Sequence, residues 1–229
     1  MHVQILPSVD ASKVESARYA LIRRLGFVFR HHLVVNLQPL GMVCQVIRHR
    51  LGATPVDISA VHESVDQVER LVLTSIDACS DVVSWLTADA QSTITLDMAV
   101  RECLSNVRSS FSFRGFVIRY EETALDIPVS QVAVREVLTA ALIAATDHAK
   151  GLSEMRVSVL VVADTAEIAI QTHPGVHASS AEQDAYRLLE WDDVQMLAMF
   201  HGLEFSHSSD GSLKIRIARP SPGADESAG

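Results

Sequence analysis

The sequence contains no turn cluster between about Ala11 and Leu51, where it reads ASKVESARYALIRRLGFVFRHHLVVNLQPLGMVCQVIRHRL. The letters GATP follow directly and break this pattern, because glycine and proline together interrupt helices. Asp57 can then cap a second helix, which we expect to end near Leu86, before a small polar stretch. The chain is therefore predicted to begin with two long helices joined by a short loop.

Apolar residues recur by threes and fours along both predicted helices. The second helix carries one stripe: Val61, Val65, Val68, Val72, Ile76, Cys79, Val83 and Leu86. The first helix carries two stripes: Ile22, Phe29, Leu33, Leu40, Cys44, Ile47 and Leu51 on one, and Val14, Ala17, Leu21, Val28, Val35, Met42 and Val46 on the other. Two stripes require two partners, and one hairpin supplies only one.

The length of these helices bears on where the second partner comes from. At about 1.5 Å per residue they extend on the order of 45–60 Å, which is long for burial inside a chain of this size. We therefore predict a four-helix bundle formed by two chains, that is, a homodimer. The alternative is a bundle within one chain, packed on the rest of the protein.

The composition excludes several classes of protein. The 229 residues include 19 Lys and Arg against 28 Asp and Glu, so the formal net charge is −9, a poor match for phosphate backbones. We therefore expect no nucleic-acid partner. Hydrophobic residues make up 48% of the chain, too many for a disordered protein, and a mean hydropathy of +0.20 favours an additional apolar surface for an oligomer.

Cysteine usage and the lack of long apolar runs indicate the compartment. Cys44, Cys79 and Cys103 are scattered and odd in number, which argues against a disulfide framework or a zinc cluster. No apolar run approaches the length of a bilayer span, and the first residues lack the pattern of a signal peptide. We expect a soluble, cytoplasmic protein that makes no contact with a membrane and holds no metal.

The second half of the chain mixes helices with strands that are mostly linked as hairpins, which indicates an α+β sandwich. We expect three parts: a helical hairpin at residues 1–90, the α/β sandwich at 91–220 and a disordered tail at 221–229. The predicted elements are a helix that starts after Thr95 and ends near Gly115, a strand Phe116–Glu121, a helix from about Ser130 to Ala149, strands Arg156–Ala163 and Glu167–Thr172, a linker His173–Ser180, a helix from about Ala181 to Phe200, and strands Leu203–His207 and Leu213–Ala218.

One histidine of the first helix can be exposed. At about 100° per residue, His32 faces inward among apolar residues, whereas His31 is rotated onto the flank of the stripe that contains Val28 and Val35. A neutral imidazole is a good nucleophile near pH 7. On its own, an exposed helical histidine is more often an ordinary solvated residue.

Three segments, taken in order, resemble parts of histidine kinases. VREVLTAALIAATDHAKG, Val134 to Gly151, resembles the N-box helix of the ATP-binding domain, whose family pattern has two asparagines and ends in Lys-His. FHGLEFSHSSDGSLKIRIARP resembles the last hairpin of that domain, and RHHLVVNLQPLGMVCQVI resembles the phosphoacceptor helix of the dimerisation domain. The resemblance covers roughly residues 11–220 and puts His31 at the acceptor position. It implies a Bergerat-type α/β sandwich behind a dimeric helical hairpin.

The sequence departs from the family where the family binds ATP. The two N-box asparagines fall on Ala140 and Ala144, and a methyl group cannot ligate Mg²⁺, which prefers oxygen ligands. The region that matches the adenine-reading DxGxG stretch, Ile170 to Gly175, has one glycine and no acid. The glycine-rich lid falls on Leu188 to Met199, which contains no glycine to cradle phosphates. We therefore expect the domain to be degenerate, with no ATP and no other cofactor bound.

This combination resembles the ChpT-type histidine phosphotransferases, a dimeric family that relays phosphoryl groups between receiver-domain aspartates. The resemblance implies that His31 is the catalytic acceptor and that response regulators or hybrid-kinase receiver domains are the partners. It also implies that Val34, Val35 and Gln38 lie where the first helix of a receiver docks, although bundle packing is an equally good interpretation of these three. The position after the acceptor, acidic in many kinases, is His32 here, so whether His31 or His32 is phosphorylated stays open.

Two other functions are compatible with parts of this pattern. One is a non-catalytic pseudo-histidine-kinase that binds and regulates a kinase or a response regulator, in which both histidines are ordinary residues. The other is an active ATP-dependent kinase, which the alanines at positions 140 and 144 and the missing glycines disfavour.

Overall fold

The computed structural model describes residues 10–87, 92–113, 115–123, 126–148, 152–162, 164–174 and 187–218. The chain divides into two compact units, one made of Met1–Arg24 with Ala90–Gly229 and the other of Leu25–Asp89. The fold is α+β, with an N-terminal helical region and a mixed sheet, as the sequence predicts. None of the described helices combines the length and the apolar composition needed to cross a membrane.

The two N-terminal helices begin and end where the sequence predicts. Helix α1 is Ala11–Leu51 and helix α2 is Ile58–Leu86. The side chain of Asp57 caps α2 by accepting a hydrogen bond from the backbone N–H of Ala60 at 3.0 Å. In the second unit, the guanidinium of Arg50 donates to the hydroxyl of Ser64 at 2.7 Å, which ties the end of α1 to the start of α2. The predicted hairpin is thus confirmed.

The second apolar stripe of α1 has two different environments. Val14, Ala17 and Leu21 are at most 1% exposed and belong to the same unit as the sandwich. Further along the stripe, Val35 is 52% and Met42 61% exposed. Packing within one chain therefore accounts for the first turns of α1, whereas the stripe from Val35 onwards is largely exposed in the described chain.

In the part of the sandwich that the structure describes, there are a five-stranded sheet, a two-stranded sheet and three helices. The five-stranded sheet has the order β2-β4-β5-β7-β6, in which β2 and β4 are parallel and the other pairs antiparallel; β1 and β3 pair antiparallel. The elements are β1 Thr93–Thr95, α3 Leu96–Phe113, β2 Val117–Glu121, β3 Pro128–Ser130, α4 Gln131–His148, β4 Leu152–Val162, β5 Thr165–Pro174, α5 Trp191–Phe200, β6 Glu204–His207 and β7 Ser212–Ala218.

One face of the larger sheet and helix α4 form the core. Every second residue is buried along β4 and β7, where Met155, Val157 and Ile215 are 0% exposed; on β5, Ile168 and Ile170 are also 0% exposed. The intervening residues of β4 and β7 are half-buried or exposed, so one face of the sheet packs inward there, whereas all residues of β5 from 166 to 170 are buried. Helix α4 is buried over most of its length, because fourteen of its 18 residues are shielded from solvent.

Three predictions about elements need correction. The last helix begins at Trp191 rather than near residue 181; residues 187–190 are not helical, and 181–186 lie outside the described residues. The cause is local: the backbone N–H of Glu190 donates to the carboxylate of Asp193 at 2.9 Å, which fixes the first turn. The short strands β1 and β3 were not predicted, and β4 and β5 are longer than expected. The predicted domain boundary at residues 90 and 91 and the tail lie outside the described residues.

Candidate functional site

The imidazole of His31 lies on the solvent-exposed side of α1, in the unit that contains residues 25–89. The ring of Phe27, one turn earlier, stacks against it with 6.4 Å between ring centroids and only 9° between the ring planes. Residues four apart on a helix lie one above the other, so this contact follows from the sequence spacing. The ring of His31 therefore has a preferred orientation and remains accessible to a partner molecule.

His32 has a different environment. Its side chain is half-buried, as expected from its position on the inward side of the helix. Its carbonyl oxygen accepts a hydrogen bond from the side-chain amide of Asn36 at 2.8 Å. Of the two adjacent histidines, His31 is thus the more accessible to a reactant.

The three predicted docking residues lie on the turns that follow His31. Val34 is 51% and Val35 52% exposed, and Gln38 is exposed as well. Their spacing of three, four and seven residues from His31 puts them on neighbouring turns of the same helix. Two exposed valines beside an exposed imidazole form an apolar surface, which either a receiver or a second copy of the hairpin can cover.

A shallow apolar groove of about 570 Å³ lies between α1 and α2 in the same unit. Its lining includes Leu37 from α1 and Val72, Ile76 and Val83 from α2. These four side chains are 40–55% exposed, and the predicted stripe of α2 contains the last three. The sequence patterns thus identified a face that the hairpin does not cover by itself.

Helix α4 contains Ala140 and Ala144, the two positions at which the sequence comparison expects asparagines. Ala140 and Ala144 are both 0% exposed. A methyl group at either position offers no ligand to a cation, and neither side chain reaches solvent. Within the described residues, no group of three or more His, Cys, Asp or Glu side chains could hold a metal ion.

The end of α4 is bound to the segment that precedes α5. The carboxylate of Asp147 accepts a hydrogen bond from the backbone N–H of Leu189 at 3.0 Å, and Nε2 of His148 donates to the carbonyl oxygen of Leu189 at 3.0 Å. The side chain of Leu189 is 0% exposed. Both backbone polar groups of Leu189 are thus bound to side chains at the end of α4.

The same carboxylate binds the first part of α1. The guanidinium of Arg24 donates to Asp147, and the two side chains are only 3% and 1% exposed. No local signal in the sequence predicts this pair, because its two residues are 123 positions apart. The imidazole of His148 stacks on the ring of Trp191, with 5.2 Å between the ring centroids.

A second, half-buried carboxylate of α4 binds α1 at Arg18, six residues before Arg24. Glu136 accepts hydrogen bonds from Nε of Arg18 at 3.0 Å and from Nε2 of His201 at 2.8 Å. Burial raises the pKa of Glu136, but the bond from His201 and the charge of Arg18 outweigh it, so the pKa lies below its usual value. Glu136 is therefore ionised at neutral pH and holds the start of α1 to α4.

The cysteines do not provide a competing nucleophile in the core. Cys103 is 1% exposed, and burial raises the pKa of its thiol to about 12. A thiol with such a pKa is protonated at neutral pH and reacts poorly. Cys44 and Cys79 are exposed on the helical hairpin, in separate positions along α1 and α2.

Comparison with known proteins gives similarity to solved structures alone. No family model matches the chain, and no curated protein matches it. The histidine kinase AdeS of Acinetobacter baumannii is similar, with 16% identity over 79% of this chain and 97% of that chain, at a TM-score of 0.45. The nucleotide-free catalytic domain of histidine kinase ThkA is similar with 10% identity over 56% of this chain and 95% of that chain, at a TM-score of 0.41.

Proposed function

We propose that this protein is a cytoplasmic histidine phosphotransferase that relays phosphoryl groups between receiver-domain aspartates in a two-component phosphorelay, and that His31 carries the group. The observation that supports this most directly is the accessible imidazole of His31 on the outer side of α1. The residues on the following turns leave a partner room to approach, because Val34, Val35 and Gln38 are exposed too.

The chemistry requires little from the chain beyond a positioned imidazole. The lone pair of one ring nitrogen of His31 attacks the phosphorus of an aspartyl phosphate, and an N–P bond forms while the P–O bond to the carboxyl oxygen breaks. The electron pair of that bond stays on the departing aspartate, and the proton on the other ring nitrogen is retained or released to water. The receiver supplies Mg²⁺ and charge stabilisation, so positioning is the main contribution of this protein.

The absence of ATP chemistry is part of the proposal. Ala140 and Ala144 present no oxygen to a magnesium ion and are fully buried on α4. The segment around Leu189 is bound to Asp147 and His148 through its own backbone groups. These contacts occupy polar groups near the end of α4 that an open nucleotide site would leave available to a ligand.

We further propose that two chains form a four-helix bundle through the helical hairpin. The groove residues Leu37, Val72, Ile76 and Val83 are exposed in the single chain, and such contiguous apolar surface favours association. The spacing of seven between Val65 and Val72, and of four and seven along Ile76 and Val83, is the spacing of helix-to-helix contacts. A second copy of the hairpin is the partner whose pattern matches this one.

Val34, Val35 and Gln38 are proposed as part of the receiver surface. A receiver that contacts the turns after His31 brings its phosphoaspartate towards that imidazole. The three residues would then determine which receiver binds, while the chemistry stays with His31.

The test uses a panel of purified receiver domains, each labelled with radioactive acetyl phosphate and mixed with the protein. We expect label on the wild-type chain and its loss in His31→Ala. His49→Ala is the matched control, because His49 is another exposed histidine of α1 and its loss should leave the label unchanged.

Two results contradict the proposal. If His31→Ala and His32→Ala both accept as much label as the wild type, neither histidine is the carrier. If no receiver transfers label to the wild type although one of them binds it, the protein is a non-catalytic pseudokinase. Tight binding of Mg·ATP in a calorimetric titration contradicts the claim that the domain lacks ATP chemistry.

A further inference from the structure

The ring of Phe27 contacts two side chains on the next turn of α1. It stacks on the imidazole of His31, with 6.4 Å between centroids, and the guanidinium carbon of Arg30 lies 5.5 Å from its centre. Residues three and four positions later on a helix both reach back over the earlier residue, so one ring can contact both. Phe27 is 51% exposed, and no burial requirement explains an aromatic ring at this position.

The guanidinium of Arg30 is free of carboxylate partners among the described residues, unlike those of two other arginines on this helix. Arg18 and Arg24 bind the carboxylates of Glu136 and Asp147. Within the part of the chain that the structure describes, the guanidinium of Arg30 contacts the ring of Phe27 and no carboxylate. Cation–π contact orients a guanidinium without neutralising its charge.

A phosphorylated imidazole needs positive charge nearby. The transferring phosphoryl group carries negative charge on its peripheral oxygens, and a guanidinium can donate hydrogen bonds to two of them at once. Such charge-assisted hydrogen bonds are stronger than those between neutral groups. The guanidinium of Arg30 contacts the same ring as the imidazole of His31, so it is well placed to donate these hydrogen bonds.

We propose that Phe27 and Arg30 complete the phosphoryl-acceptor site: Phe27 positions the imidazole of His31 and the guanidinium of Arg30, and Arg30 binds the phosphoryl oxygens. This inference rests on the proposed function of His31 and adds two residues to it. Phe27 is a positioning residue, because it acts through the two side chains that it contacts. Arg30 touches the transferring group itself.

The experiment uses phosphoramidate as the phosphoryl donor, so that no receiver has to be identified. The lone pair of a ring nitrogen of His31 forms the new N–P bond, the P–N bond of phosphoramidate breaks, and the departing nitrogen takes up a proton and leaves as ammonia. The rate of phosphorylation at His31 is followed by intact mass and by peptide mapping under alkaline conditions, which preserve phosphohistidine.

We expect Arg30→Gln to slow phosphorylation of His31 about tenfold, the size of one partly solvated charge-assisted hydrogen bond. Arg30→Lys should recover part of the rate, since it keeps the charge but not the forked geometry. The difference between wild type and Arg30→Gln should shrink as salt rises from about 0.05 to about 0.5 M, because exposed charges are screened. A merely structural role of Arg30 would not give this salt dependence.

Phe27→Leu should slow the reaction about threefold, because the two side chains lose their common orientation while the charge remains. The matched controls lie on the same helix: Tyr19 is 64% exposed, and the guanidinium carbon of Arg23 lies 5.7 Å from its ring. Tyr19→Leu and Arg23→Gln should leave the rate unchanged, because this pair is eight residues or more from His31.

The outcomes separate the inference from the function on which it rests. Equal rates for wild type, Arg30→Gln and Phe27→Leu, with His31 phosphorylated in all three, overturn the inference and leave the proposed function intact. A slowing by Tyr19→Leu as large as that by Phe27→Leu also overturns the role of Phe27. A wild-type chain that gains no phosphoryl group at His31 contradicts the proposed function itself.

Discussion

Replacing Asp147 by alanine removes one carboxylate that holds two parts of the sandwich unit to α4. Asp147 is 1% exposed, binds the guanidinium of Arg24, which is 3% exposed, and accepts the backbone N–H of Leu189 at 3.0 Å. Breaking a buried ion pair by removing one partner costs about 3–5 kcal/mol, because the other charge stays buried. A buried N–H that loses its acceptor costs about 1–3 kcal/mol, but both effects arise from one group and do not add fully.

We therefore expect Asp147→Ala to lower the free energy of unfolding by about 3–5 kcal/mol, out of about 5–15 kcal/mol for a typical protein. For a chain of this length, each kcal/mol corresponds to about 2–4 °C in the melting temperature. A loss of about 4 kcal/mol thus predicts a decrease of about 8–16 °C in the transition of the sandwich unit.

The assay is urea denaturation followed by the fluorescence of Trp191, which lies in the sandwich unit, in a Trp85→Phe background that removes the other tryptophan. The control is Glu122→Gln, because Glu122 and its partner Arg101 are 64% and 48% exposed. Exposed pairs contribute at most about 1 kcal/mol, so this variant should change little. If Asp147→Ala costs no more than Glu122→Gln, the buried pair does not hold α1 and residue 189 to α4.

Three further predictions concern stability, assembly and the nucleotide motif. The pKa of Glu136 in the folded protein lies below the unfolded value of about 4.3, so the ionised carboxylate stabilises the fold above about pH 4.3. This stabilisation is lost as the pH falls through the folded pKa. Glu136→Gln should therefore reduce the loss of stability in unfolding curves taken between about pH 5 and about pH 3. Ile76→Lys should convert the dimer to a monomer in sedimentation analysis. Leu160→Lys is the control, because Leu160 is 50% exposed on β4, and it should leave the dimer intact. An unchanged mass for Ile76→Lys would contradict an interface on the hairpin. Ala144→Asn adds volume and an amide to a fully buried site, so it should lower stability by about 1–3 kcal/mol in thermal unfolding. The same variant should show no Mg·ATP binding in calorimetry. Strong binding would contradict the proposal that the nucleotide site is degenerate.

The ends of the helical hairpin could be predicted because their signals are local. The sequence GATP stops α1, and Asp57 caps α2 through a bond to a backbone group three residues later. The difference between His31 and His32 could be predicted as well, since a rotation of about 100° per residue separates an outer from an inner position.

The sequence could not predict which parts of the chain pack against each segment of α1. Periodicity indicates that Val14, Leu21 and Met42 share an apolar stripe, but it does not tell what packs against each part. The structure buries the first two in the sandwich unit and leaves Met42 61% exposed. The choice depends on partners more than a hundred residues away, such as Glu136 for Arg18.

The start of α5 is fixed locally by Glu190 and Asp193, but the contacts of the segment before it are long-range. Leu189 is bound by Asp147, 42 residues earlier, and no local pattern announces that bond. The stacking of Phe27 on His31 was within reach of sequence analysis, because it follows from a spacing of four on a helix already predicted. Phe27 lies on neither apolar stripe of α1, so periodicity alone gives it no role.

The central claim is tested most directly by following one phosphoryl group through a complete relay. A receiver labelled at its aspartate is mixed with the protein and a second, unlabelled receiver, and samples are taken with time. If the proposed relay is correct, label appears first on this protein, maps to His31 by peptide analysis, and then accumulates on the second receiver. Label that reaches the second receiver at the same rate in His31→Ala would contradict it.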